Sequence, residues 1–313
     1  MNVPRFDTSV RALLGHDRCH IDAPLAPLTT FRVGGPADLL IDIRRVDELS
    51  SVLALASECG VPVTLLGGGS NVVISDSGLR GAVLRLHLAD ISQVSPHRVR
   101  AGAGATINGL VRWTIGRGLA GVEGWAGTPG TVGGAIYGNA HWKGRNIADV
   151  IGDVLLVDRL GTQAVVPASD MGFAYDTSRL QHTREIVVWA EFRVSCGDPA
   201  ALREQARASL DFRKRTQPLA QASAGCVFQN PDPLHDRVPA GIPPSAGALV
   251  DRAGLKGFRV GGASISTVHG NFVVNDGHAT ATDIRRVVEV ARTSVLDQFG
   301  VTLRDEVVWL GTF

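Results

Sequence analysis

The chain has 313 residues, a formal net charge of +1 and 44% hydrophobic residues, a length that supports two or three domains with cores of their own. The near-neutral charge argues against nucleic acid as the main partner, no run reaches the ~20 apolar residues of a membrane span, and the opening MNVPRFDTSVRALLG has no signal-peptide core. Cys19, Cys59, Cys196 and Cys226 stand apart, no HExxH occurs and the nine histidines do not cluster, so reduced cytoplasmic thiols and no metal site are expected.

In chain order, residues 1–27 read as a helical lead-in followed by an extended, Pro-containing segment. Thr29, Thr30 and Arg32 precede a Gly-Gly-Pro turn, and 38–43 reads as a strand. Residues 46–59 have helical apolar spacing, with Leu49, Leu53 and Ala56 on one face and Gly60 as the stop. A strand over 63–66 completes a small β-α-β unit. Strands are expected at 82–86 and 93–102, and a helix over 107–117 with Gly118 at its C-cap. Residues 150–158 and 163–166 form a hairpin around Leu160-Gly161, and 185–194 is a further strand. A domain boundary falls at 197–199. The basic helix over 200–215 presents its charges as a solvated face. A short helix over 245–254, a long one over 282–299 with Thr282 as N-cap, and a final strand over 301–310 complete the chain.

Two glycine stretches stand out. The first, LLGGGSNVVISD at 65–76, opens a β-like run into Gly67, Gly68 and Gly69, followed by Ser70 and Asn71. Those N–H groups and polar side chains suit a phosphate. The second, GLAGVEGWAGTPGTVGGAIYGN at 118–139, keeps apolar residues between its glycines, unlike a flexible linker. Pro129 stiffens the turn after Gly127. The amides from Thr128 through Ala135, including Gly130, Thr131, Gly133 and Gly134, are expected to form a concave row of donors. Neither stretch fits GxGxxG, a P-loop or GxSxG, so a large phosphorylated cofactor in another fold is implied.

Seven segments resemble one family in order and spacing: TTFRVGGPA at 29–37, LGGGSNVVISD at 66–76, AGTPGTVGGAIYGNA at 126–140, AGCVFQNP at 224–231, SAGALVDRAGLKG at 245–257, HGNFVVN at 269–275 and DEVVWLG at 305–311. The family is UDP-N-acetylenolpyruvoylglucosamine reductase, and the resemblance is to its shorter type, without an inserted substrate-clamping loop. It implies an α+β fold, with a two-subdomain FAD-binding PCMH/vanillyl-alcohol-oxidase-type region and a C-terminal α+β substrate domain. The domains implied are a lead-in at 1–27, an FAD-binding domain at 28–195 with subdomains of about 28–90 and 91–195, and a substrate domain at 196–313. FAD is held by the two glycine stretches and reduced by NADPH, which then gives way to UDP-N-acetylglucosamine enolpyruvate. The product is UDP-N-acetylmuramate, a peptidoglycan precursor, and the resemblance implies a cytoplasmic monomer.

The resemblance assigns catalytic roles to Glu306, at the substrate carboxylate, and Cys226, a thiol acid that protonates the substrate. Tyr175, Asn230 and Lys256 are the substrate-binding candidates. Two positions depart. Gln229 stands where the family more often has lysine, and Asp176, in FAYDTSR, stands where it has a catalytic arginine. His141 and Trp142, in GNAHWKG, are bulky where the family has small residues. Arg179 or Lys256 is a candidate for the missing cation. The alternative is a flavin reductase or oxidase of the same fold acting on a different substrate.

Overall fold

The computed structural model describes residues 3–313, so the first two residues of the expected lead-in lie outside the described residues. Two compact units form. The first comprises the chain through Ala23, Ala37–Gly68 and Arg80–Asp211; the second comprises Pro24–Pro36, Gly69–Leu79 and Phe212–Phe313. The grouping is not linear, because two short early segments pack with the C-terminal third.

The first unit has two cores. One lies under a four-stranded sheet of Cys19–Pro24, Pro36–Ile43, Leu79–Leu86 and Val63–Leu65, in that order. Phe6 and Val10 of helix Val3–Leu14 pack there with Leu49, Val52 and Leu53 of helix Val46–Cys59. The second helix ends as its sequence dictates: Gly60 takes φ 63° and its N–H returns to Ala56 and Ser57. On the two central strands, Arg85, with His87 just beyond its strand, reaches the buried Asp42, at 2.8–3.0 Å.

The other core lies on an antiparallel sheet ordered Gln163–Pro167, Ile151–Val157, Ile186–Arg193, Arg98–Gly102, Ile91–Ser95. Helix Ile107–Ile115 and the short helix Val132–Tyr137 pack Leu110, Val111, Val132 and Ile136 against Val99, Ala101, Ala190 and Phe192.

In the second unit, strands Arg259–Val260, Ala263–Ile265 and Val273–Asn275 form a small sheet. Helix Ala281–Phe299 buries Ile284, Val287, Val288 and Ala291 in the same core as Ala263, Ile265 and Val273. Val308–Leu310 pairs in parallel with Val72–Ile74. No helix among the described residues is long and apolar enough to cross a membrane, and no group of metal-ligating side chains occurs among them.

Several elements differ from the sequence expectation. The stretch 93–102 is a hairpin, Ile91–Ser95 with Arg98–Gly102, because Pro96 and His97 turn the chain. Helix Ile107–Ile115 is capped by Gly116, and the left-handed Gly118 (φ 66°) lies beyond its end. The N-cap of the long helix is Thr280, in a capping box with Asp283; Thr282 instead donates its hydroxyl to Asp76 at 2.7 Å. The last strand is only Val308–Leu310, since Asp305 is taken by Arg292 and by the Trp309 indole. The basic helix, Pro199–Thr216, is not solvated all round. Leu202, Ala206, Ser209 and Arg213 form a buried stripe, and Arg213 is 6% exposed.

Candidate active site

In the first unit the site is built on the second glycine stretch. Its amides are largely spent inside the fold, contrary to the expected open row. Gly127 N–H donates to Asn108 Oδ1 at 2.7 Å and Thr128 N–H to the Trp125 carbonyl. Val132 and Gly133 donate to Ala105 and Ala103, Gly134 to Thr131 Oγ1, and Ala135 to the Thr131 carbonyl. The reason is that Thr131 caps a helix, and the turn at Ala103–Ala105 runs beside its first residues. Gly130 (φ 96°) and Thr131 keep N–H groups that donate to no other described residue.

Against them lie Gly67 and Gly68, whose N–H groups also donate to no other described residue. A Cβ at Gly67 would stand 2.9 Å from Thr131 Oγ1, and one at Gly68 would stand 2.8 Å from Gly130 Cα. Glycine is therefore required here by close approach. Four unspent amides on two loops in contact make a cradle for an anion, and any side chain at Gly67 or Gly68 would fill it. That donor set fits the pyrophosphate of FAD. In the second unit, Gly69 (φ 60°) is pressed onto Thr29 Cα, 2.8 Å from where its Cβ would be. The amides of Gly69, Ser70 and Asn71 are unspent as well, while the Asn71 side chain donates to the Glu306 carbonyl at 3.0 Å.

Helix Val132–Tyr137 leads from the cradle to a two-residue hairpin, His141–Trp142 with Arg145–Asn146. Lys143 (φ 49°) and Gly144 (φ 76°) supply the two left-handed turn residues. A second tight turn, Ala174 to Thr177, carries Tyr175 and Asp176 at its tip, with Asp176 at φ 54°. Asp tolerates that conformation better than most residues. The two turns are tied together. Asn139 Nδ2 donates to the Ala174 carbonyl at 2.8 Å, Ser178 Oγ to the Tyr137 carbonyl at 2.8 Å, and Gln181 Nε2 to the Asp176 carbonyl at 2.9 Å. The Tyr175 ring lies 5.1 Å from that of His141. Arg179 does not turn toward this corner, since it makes a two-point pair with Glu185 at 2.6 and 2.8 Å.

The second unit brings Cys226 and Glu306 onto adjoining backbone. Cys226 bridges Phe272, Phe228 bridges Asp305, and Glu306 N–H donates to the Val227 carbonyl at 2.9 Å. Gly225, at φ 82°, makes the turn before the thiol. Asn230 Oδ1 accepts the Ala246 N–H at 3.1 Å, and Lys256 pairs with Asp251 at 2.8 Å. Both of these expected substrate contacts thus also hold local structure. Sequence reasoning missed Arg213. Burial lowers its guanidinium pKa to about 10, partly offset by attraction to the Cys226 thiolate. It stays charged at neutral pH and favours ionisation of that thiol. The 202-206-209-213 spacing is a helical stripe that would have signalled its burial.

The similarity to known proteins is specific. Residues 217–310 match the model of the UDP-N-acetylenolpyruvoylglucosamine reductase C-terminal domain, and residues 37–166 match an FAD binding domain. A UDP-N-acetylenolpyruvoylglucosamine reductase of Anaeromyxobacter sp. (strain Fw109-5) is 42% identical, covering 93% of this chain and 88% of that protein. Another, of Bacillus thuringiensis subsp. konkukian (strain 97-27), is 38% identical, covering 94% and 95%. The crystal structure of the Thermus caldophilus enzyme superposes with a TM-score of 0.78 at 32% identity, covering 94% and 98% of the two chains. A glucose dehydrogenase, Phl p 4.0202, shares the fold alone, with a TM-score of 0.51 at 18% identity over 62% of this chain.

Proposed function

The chain belongs to the UDP-N-acetylenolpyruvoylglucosamine reductase family, and from that premise we propose how its own residues divide the work. The reaction is the NADPH-dependent reduction of UDP-N-acetylglucosamine enolpyruvate to UDP-N-acetylmuramate, a step of peptidoglycan precursor synthesis. When bound, FAD would supply the hydride chemistry between NADPH and the β-carbon of the enolpyruvyl group. NADP⁺ leaves, and one proton completes the new C–H bond at the α-carbon.

Gly67, Gly68, Gly130 and Thr131 hold the cofactor's pyrophosphate through their unspent amides. Gly69, Ser70 and Asn71 add donors of the same kind, and Gly127, Thr128, Gly133, Gly134 and Ala135 shape the wall. Glu306 meets the substrate carboxylate as charge builds there. Cys226 gives up its proton to the α-carbon, and Arg213 stabilises the thiolate that remains until solvent restores the proton. Tyr175, Asn230 and Lys256 contribute to substrate binding. The observation that carries this reading is the backbone pairing that sets the Cys226 turn beside Glu306. The reading extends to a monomer at work in the cytoplasm, where NADPH and nucleotide sugars are made.

The test is direct: the purified protein should be yellow and should consume NADPH only when the enolpyruvyl sugar nucleotide is added. A colourless protein, or NADPH consumption indifferent to that nucleotide, sinks the reading. The alternative, a different substrate on the same fold, rests on Asp176 and Gln229, and the reductase relatives do not favour it.

A further inference from the structure

Hydride addition to an enolpyruvyl ether drives negative charge onto the substrate carboxylate, so the reaction needs a cation or hydrogen-bond donors there. The position where the resemblance implies an arginine holds Asp176. The two cations that the sequence offers in its place are already engaged, Arg179 with Glu185 and Lys256 with Asp251. His141 is placed differently. Its Nδ1 lies 3.0 Å from Asp176 Oδ1, with the carboxylate side chain 9% exposed and the imidazole 30% exposed. Asp176 Oδ2 is buried with no hydrogen-bond partner among the described residues. A carboxylate so poorly solvated favours a positive neighbour. With Nδ1 turned to Asp176, the far ring nitrogen, Nε2, is a donor only when the imidazole is protonated. The pair is fixed to the glycine cradle: the helix that begins at Thr131 ends at Tyr137, whose carbonyl is bound by Ser178 and Gln181 from the Asp176 turn.

We propose that protonated His141, held by Asp176, takes the carboxylate of the substrate in place of a guanidinium. His141 is then a catalytic residue, and Asp176 a positioning residue that orients it. The proposal rests on the reductase reading above. The titratable groups facing the imidazole are Asp176 and Tyr175. On its own hairpin, Lys143 lies over the Trp142 ring, and Arg145 lies over Trp125 and beside Glu123.

The experiment uses the FAD-loaded protein and calorimetric binding of two nucleotides across about pH 5.5–9, the range spanning histidine titration. UDP-N-acetylmuramate carries the carboxylate and UDP-N-acetylglucosamine lacks it. Wild type should prefer the first, with a preference that fades as the pH rises. His141→Gln should lose about tenfold or more of that preference, a charge-assisted hydrogen bond's worth, together with its pH dependence. Asp176→Asn should also lose part of that preference, because the carboxylate that orients the imidazole is gone. The double variant H141G/D176R should prefer the carboxylate nucleotide at every pH. Flavin absorbance reports that each variant is folded. A His141→Gln protein with wild-type preference and pH profile overturns the proposal, as does an Asp176→Asn protein with wild-type preference. If wild type neither binds nor reduces the enolpyruvyl nucleotide, it is the reductase reading that falls.

Discussion

The turn at Cys226 and the turn at Asp176 are held in place by different means. Around Cys226, backbone bridges to Phe272 and from Phe228 to Asp305 fix the geometry. Around Asp176, an anion stands where the resemblance implies a cation, and a histidine on a separate hairpin pairs with it. The difference teaches that main-chain pairing fixes a position whatever side chain it carries, whereas a charge pair at two loop tips depends on both side chains.

Four measurements sharpen or break that contrast, in decreasing order of expected effect. Cys226→Ala removes the acid, so reoxidation of the reduced flavin by the enolpyruvyl substrate should slow by about 10²–10⁴-fold in stopped flow, a typical contribution of a positioned general acid. Wild-type reoxidation would mean that the proton comes from elsewhere. Glu306→Ala removes the group that meets the substrate carboxylate and should cost kcat about 10²–10³-fold, the scale of losing one transition-state donor. An effect confined to KM would reduce Glu306 to a binding group.

Gly68→Ala places a methyl 2.8 Å from Gly130 Cα. Overpacking of that kind costs about 1–3 kcal/mol, or roughly tenfold or more in FAD affinity; flavin retained through gel filtration at wild-type occupancy would show that the loops have room. Arg213→Met should raise the Cys226 thiol pKa, because the neighbouring positive charge is gone. The readout is the pH profile of iodoacetamide alkylation, and an unshifted profile would separate Arg213 from the thiol.

A scaffold pair gives the baseline for these site effects. Burial alone would push the Asp42 carboxyl up, but the hydrogen bonds from Arg85 and His87 outweigh it and hold the carboxyl below its ordinary 3.8. Its folded value is depressed, so its contribution is full above the unfolded value and is lost as pH falls through the folded one. Asp42→Asn should therefore lower the urea midpoint at pH 7 by the equivalent of about 1–3 kcal/mol, the range for a broken, mostly buried charge network. The loss should shrink below about pH 4, and kcat should hold. An equal loss at both pH values would remove the ionic account.

Much of this molecule is legible in its sequence, for local reasons. Helix Val46–Cys59 and its Gly60 stop follow from apolar spacing and from the freedom of glycine to take positive φ. The glycines at 67, 68 and 130 announce a place where backbone must approach something closely, and the pressed loops bear that out. What the pattern left open depends on partners distant in the chain. The amides of Val132 and Gly133 are spent on Ala105 and Ala103, which no run of glycines reveals. Thr280 rather than Thr282 caps the long helix because Asp76, some two hundred residues earlier, takes the Thr282 hydroxyl. The burial of Arg213 and the pairing of His141 with Asp176 are likewise decided in three dimensions. Propensity, capping and close approach act over a few neighbouring residues, so the order of residues determines them. Whether a charge is solvated, spent or held in reserve depends on what the folded chain sets beside it, and only the tertiary structure decides that.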